Sequence, residues 1–160
     1  MSWSILSRKS SISDSGIRNY LAGLFNSGKV SPSIDTIYGV YFPSGMRVTL
    51  SGGASCWTFC GYHGVFTYGG LQIKYAAFPF LDCSACKLSS LSVADMLTIV
   101  TSHEVREAVT DPGDNNVYGW YDAAGYEADD KCAFLACYRV TARRARGFVD
   151  STGESGGGRS

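Results

Sequence analysis

Apolar residues recur along the chain with two different periods, and the change of period divides it into helices and strands. Over residues 13–28, Ile17, Tyr20, Leu21, Leu24 and Phe25 share one face at helical spacing. Asp14 or Ser15 is placed to cap the start of this helix, and Gly28 suits its end. A polar, proline-bearing connection follows over residues 30–35. Residues 36–42 are rich in β-branched and aromatic side chains and predict a strand, Pro43-Ser44-Gly45 a turn, and residues 47–50 a second strand. Residues 64–68 and 72–80 predict two more strands, divided by Gly69-Gly70. The helical period returns at Ser92, where Ser92-x-x-Asp95 resembles a capping box. Val93, Met96, Leu97 and Val100 then form an apolar stripe that His103 and Glu107 continue. A face that turns from apolar to polar belongs to a helix that enters the core and then lines a cleft. Pro112-Gly113 stops it, and residues 114–131 form a loop dense in Asp, Asn and Gly.

These elements predict an α+β fold: an N-terminal helix, a small mixed sheet of about four strands, a long second helix and a loop-rich C-terminal part. One globular domain is expected over residues 14–142, after a disordered segment at 1–13. A tail at 143–160, basic and then Gly/Ser-rich, is expected to be disordered. At 160 residues the chain can bury a core without help from metals or disulfides. Fourteen Lys and Arg cancel fourteen Asp and Glu, so charge offers no case for nucleic acid or an anionic membrane. The apolar run at 75–81 is far too short to span a bilayer.

Six cysteines change the picture. They group as Cys56/Cys60, Cys83/Cys86 and Cys132/Cys137, and an even count at close spacing points to disulfides and an exported protein, with the pairing open. Cys56-x3-Cys60 with Cys83-x2-Cys86 also matches a four-thiolate zinc site. The first fourteen residues carry Arg8 and Lys9 but no apolar run, so no signal peptide is read here. The expectation is a mature or truncated form of an extracellular protein.

The candidate chemistry lies at the end of the second helix. His103, Glu107 and Asp111 are spaced i, i+4, i+8 and form one stripe, with Glu104 towards the neighbouring face. This is the spacing of the HExxH zinc helix with Glu in place of the second His. His103 and Glu107 would ligate zinc, and Glu104 would be the general base for water attacking a carbonyl. His63 is the only other histidine and a natural third ligand. Asp111, Asp122, Glu127, Asp129 and Asp130, set among Gly and Asn, could instead wrap calcium, or one could complete the zinc site. Asp129 reads as solvated. The alternative reading of the helix end is structural, with Glu107 paired to Arg106 or Arg139 and His103 bonded to a loop. Trp120 and Tyr121 offer a stacking platform for a sugar or peptide, or a plug beneath the loop.

Several short words occur in one order: Asp35-Thr36-Ile37-Tyr38, Phe42-Pro43-Ser44-Gly45, Cys56-x3-Cys60-Gly61-Tyr62-His63 and the pair Cys83/Cys86. Ser102-His103-Glu104-x-x-Glu107-Ala108-x-Thr110-Asp111-Pro112, Gly119-Trp120-Tyr121-Asp122 and Glu127-x-x-Asp130-x-Cys132 follow. In this the chain resembles the plant EXORDIUM, or phosphate-induced, proteins and their secreted bacterial relatives. It departs at Glu127-Ala128-Asp129-Asp130, where the family usually has Glu-Ile-Gly-Asp, and in the tail after Cys137. The resemblance implies export. The order of helix, strands and HExxE helix is in turn similar to the minimal zincin arrangement, which implies a metal-dependent, peptidase-like hydrolase. The alternative is a non-catalytic extracellular or cell-wall protein of EXORDIUM type. A peptide or cell-wall substrate is expected in the first case.

Overall fold

The computed structural model describes residues 10–112 and 119–130. Helix α1 (Asp14–Asn26) is capped by Ser13, whose extended backbone lets its hydroxyl accept the Gly16 N–H at 3.2 Å. The cap thus falls one residue before Asp14 and two before Ser15, the two candidates from the sequence. Residues 11–13, expected to precede the globular part, form strand β1 (Ser11–Ser13). β1 runs parallel to β3 (Arg47–Leu50), and β3 pairs antiparallel with β4 (Gly53–Ala54). A second sheet has the order β2 (Ile37–Tyr41), β6 (Leu71–Phe78), β5 (Tyr62–Tyr68), with β2 parallel and β5 antiparallel to β6. The single sheet expected from the sequence is therefore two sheets of three strands. β1 and β4, at three and two residues, are too short to carry a period. The β5–β6 hairpin closes through Gly69 and Gly70 at φ 56° and 82°, a left-handed pair that glycine adopts without strain.

β6 is the middle strand and is covered on both faces, which explains its nearly unbroken apolar run. Successive side chains of a strand point to opposite faces. Ile73, Tyr75 and Ala77 pack with Ile17, Leu21 and Phe25 of α1. Ala76 and Phe78 pack with Met96 and Val100 of the second helix, α2 (Val93–Thr110). Tyr20 is 55% exposed and lies off the buried face of α1 on which the sequence pattern placed it.

Disulfides join Cys56 to Cys83 and Cys60 to Cys86, so the loop before β5 is tied to the segment leading into α2. All four sulfurs are consumed, which leaves no thiolate for the four-cysteine zinc alternative. Cys132, Cys137 and the tail at 143–160 lie outside the described residues. Among the described residues no helix is long and apolar enough to cross a membrane.

Candidate metal centre

Helix α2 carries an apolar stripe that becomes acidic without leaving the interior. Ser92 and Asp95 close a capping box at its start, as the sequence indicated. Met96 and Val100 are buried in the core, and the same face continues through Glu104, Glu107 and Ala108 to Asp111 at the C-cap. Glu104 therefore lies on the buried face, not beside it, at 6% exposure, with Glu107 at 3% and Asp111 at 5%. Burying ionisable groups this deeply is costly unless a partner charge, a proton or a cation compensates.

Two imidazoles face these carboxylates. His103 Nε2 lies 3.1 Å from Glu107 Oε2 and 3.6 Å from Asp130 Oδ1. His63, on β5, has Nδ1 at 3.8 Å from Glu104 Oε2 and Nε2 at 3.7 Å from Glu127 Oε1. Ligand-type atoms lie within 4.8 Å of one another in three sets drawn from these residues: His103, Glu107 and Asp130; His63, Glu104 and Glu107; His63, Asp111 and Glu127. Of the third-ligand candidates, Asp130 alone shares a set with both His103 and Glu107; His63 meets Glu107 without His103, Glu127 meets His63 and Asp111, and Asp122 and Asp129 join none of the three sets. Glu107 Oε1 is buried with no hydrogen-bond partner, as are Nδ1 of His63 and of His103.

The loop after α2 is arranged by its own side chains. Asp122 Oδ1 accepts the N–H groups of Ala124 and Tyr126 at 2.8 and 3.0 Å. Asp130 Oδ2 accepts the Glu127 N–H at 3.2 Å, leaving Oδ1 towards His103. The Tyr121 hydroxyl donates to Asp111 Oδ2. The Trp120 N–H donates to the Thr110 carbonyl at 3.2 Å, while the Trp120 and Tyr121 rings stay half-exposed. Gly119 is required by closeness: a Cβ there would collide with the Asp111 carboxylate. Gly61 is constrained likewise, since a Cβ would press on Val100 and lie 3.0 Å from Glu104 Oε1.

Electrostatics follow from burial and crowding. Burial pushes Glu104 up to about 7, with Glu107 and Asp130 adding to the rise and His103 and the His63 backbone N–H opposing it. Glu127 is pushed up to about 8 by burial, by its hydrogen bond with Asp111 and by the charge of Glu107. Burial lowers His63. For His103 burial also acts downward, but the hydrogen bond and charge of Glu107 outweigh it and the net shift is upward. Glu107 ends below its ordinary value because His103 overcomes the effect of burial.

Two expectations are corrected. Arg106 pairs with Asp129 Oδ1 at 2.8 Å instead of with Glu107, and Asp129 is buried, not solvated. Arg139 lies outside the described residues. The tight approaches at Gly61 and Gly119 and the Tyr121–Asp111 bond were missed. Each glycine sits beside a residue of interest, and that adjacency is the only signal the sequence carries for them. An α+β domain whose second helix ends in a cluster of imidazoles and carboxylates is the class that fold and site define. Comparison with family models, curated proteins and solved structures finds no match to the chain.

Proposed function

We propose that the protein is a metal-dependent hydrolase of zincin type, acting on peptide bonds, in which His103 Nε2, Glu107 and Asp130 hold a zinc ion. The observation that carries this reading is the convergence of those three ligand atoms within 4.8 Å, on a glutamate that is almost fully buried. The donor set suits the ion: imidazole nitrogen and carboxylate oxygen are both ordinary zinc ligands, whereas calcium takes oxygen alone. For that reason the zinc reading is preferred to a calcium-holding cell-wall protein.

When bound, the ion polarises a substrate carbonyl and makes a nearby water more acidic. Glu104 takes a proton from that water as its oxygen bonds to the carbonyl carbon; the C–N bond then breaks and the carboxyl returns the proton to the leaving amine. Its value near 7 suits a group that must both accept and release a proton close to neutrality. The His63 N–H and the close approach of Gly61 fix where that carboxylate points. Trp120, half-exposed on the adjoining loop, offers a surface for a substrate side chain. Two disulfides are compatible with an oxidising, extracellular location, and the resemblance to EXORDIUM proteins points the same way.

The test separates binding from chemistry. Elemental analysis of purified protein should find zinc, lost in Glu107→Ala. Glu104→Gln should keep the zinc while peptide hydrolysis falls by about 10²–10⁴-fold, the usual worth of a general base. Calcium in place of zinc, or hydrolysis indifferent to Glu104, would refute the reading.

A further inference from the structure

A second set of ligand-type atoms lies outside the three that the zinc reading assigns. Asp111 is the C-cap of α2, Glu127 belongs to the loop beyond it and His63 projects from β5, so three separate segments bring their side chains together. One ligand atom from each lies within 4.8 Å of the other two. Glu107, one helical turn before Asp111, adjoins this set and also belongs to the His103–Asp130 set.

Charge balance makes the convergence informative. Among the described residues, the ion pairs of Glu104, Glu107, Glu127 and Asp130 are with the two histidines alone. The nearest arginine on the helix, Arg106, is already engaged by Asp129. Glu107 is 3% exposed and its Oε1 is buried without a hydrogen-bond partner, while its carboxyl lies against that of Glu127, which it pushes upward. Leaving such an acceptor unmet costs about 1–3 kcal/mol, more when it is charged.

Distances agree. His63 Nε2 and Glu127 Oε1 are 3.7 Å apart, too far for a hydrogen bond. Two ligands bound at about 2.1 Å in a tetrahedral site stand about 3.4 Å apart, so a shift of a few tenths of an ångström would place both on one ion. The His103–Asp130 separation of 3.6 Å has the same character.

We infer that a second divalent cation binds between His63, Asp111 and Glu127, beside the first and with Glu107 between the two, making a two-metal centre. The inference builds on the first site proposed above. Nitrogen and carboxylate donors together select a first-row ion, zinc or manganese. Tyr121 then has a defined part: its hydroxyl bond to Asp111 Oδ2 orients a ligand from outside the centre. Two-metal centres of this kind place their ions about 3.5–4 Å apart, within reach of one bridging carboxylate.

The experiment uses the full chain with its disulfides formed, stripped by chelator and reloaded with manganese or zinc. Elemental analysis after removal of free metal should give two ions per chain. Glu127→Gln and His63→Ala should each retain one, and Asp130→Asn should lose the other. Low-temperature electron paramagnetic resonance of the manganese-loaded wild type should show an exchange-coupled pair, a readout independent of any variant. A single ion per chain that survives Glu127→Gln, or magnetically isolated manganese, overturns the inference. Two coupled ions without Glu104-dependent hydrolysis would uphold this site while the hydrolase reading falls. One ion, sensitive to Asp130 and insensitive to Glu127, together with hydrolysis would do the reverse.

Discussion

Asp14 and Glu107 are acidic residues on opposite sides of one sheet, and they are held in opposite ways. Adjacent residues of β5 make the division, since Tyr62 points to one face and His63 to the other. On the α1 side, Asp14 Oδ1 accepts the hydroxyls of Tyr62, at 3.0 Å, and of Tyr75, while Oδ2 pairs with Arg18 at 2.8 Å. Donors are sufficient, and both phenols are pushed upward, by burial first and then by Asp14, so they remain protonated donors. On the α2 side, Glu104, Glu107, Asp111 and Glu127 gather around two imidazoles, and Glu107 Oε1 is buried with no hydroxyl, amide or cation of the described residues bonded to it. The lesson concerns donor supply. A carboxylate given enough donors is held as part of the scaffold; Glu107, given fewer, is the group on which the proposed cation would act most strongly.

The sharpest way to break that contrast is to remove each carboxylate and compare metal-free stabilities. Asp14→Ala strands two phenolic hydroxyls in the core and should cost about 2–6 kcal/mol in a urea melt, from about 1–3 kcal/mol for each unmet donor. Its exposed pair with Arg18 adds little. Glu107→Gln keeps an acceptor for His103 but gives up the charge that His103 favours, so metal-free stability should fall by about 1 kcal/mol, less than for Asp14→Ala. A large loss for Glu107→Gln, or none for Asp14→Ala, would erase the distinction.

Acidity offers a second, somewhat smaller lever on the same cluster. Glu104 and Glu127 rise from 4.5 to about 7 and about 8, so between those limits the folded state holds protons that the unfolded chain has released. Stability of the metal-free protein should therefore fall as pH climbs from about 4.5 towards 8. His103, also raised, loses its contribution in the same direction. His63 opposes, because its lowered value makes the folded state resist protonation as pH drops below 6.5, and the lowered Glu107 does the same at the acid end of the range. Saturating zinc should reverse the slope, since its ligands must be deprotonated. Melting temperatures across this range with chelator and with zinc would check both halves, and a flat chelator curve would contradict the burial of these groups.

How much of this was legible beforehand depended on whether a signal was local. The stripe from Met96 to Glu107 and the capping box at Ser92 are written in consecutive turns of one helix, and both stand. The Gly69-Gly70 hairpin is a two-residue signature and also stands. The division into two sheets was not legible, because β1 and β4 are defined only by partners 36 and 5 residues away on β3: Ser11 faces Arg47, and Thr49 faces Ala54. Glu104 illustrates the same limit within the site. Its spacing from His103 could be counted, but its burial depends on β5 lying over it, which no helical wheel contains. The pairing of Arg106 with Asp129, instead of with its neighbour Glu107, likewise follows from where the loop returns.

Tyr121 gives the finest test, because it contributes to the acidic side without being a ligand there. Its hydroxyl donates to Asp111, and that bond pushes the phenol upward so that it remains a donor. The ring itself is 51% exposed, so Tyr121→Phe removes the hydrogen bond without opening a cavity. Fold stability should change by less than about 1 kcal/mol. Affinity for the cation beside Asp111 should weaken by about tenfold, the low end for losing a group that orients a ligand. The ion held by His103 and Asp130 should be unaffected. Zinc titration of the stripped protein resolves the two: a loss confined to the step that Glu127→Gln also abolishes ties Tyr121 to Asp111's role in binding. Equal loss at both steps would mean that the loop acts as one unit and that the hydroxyl has no separate function.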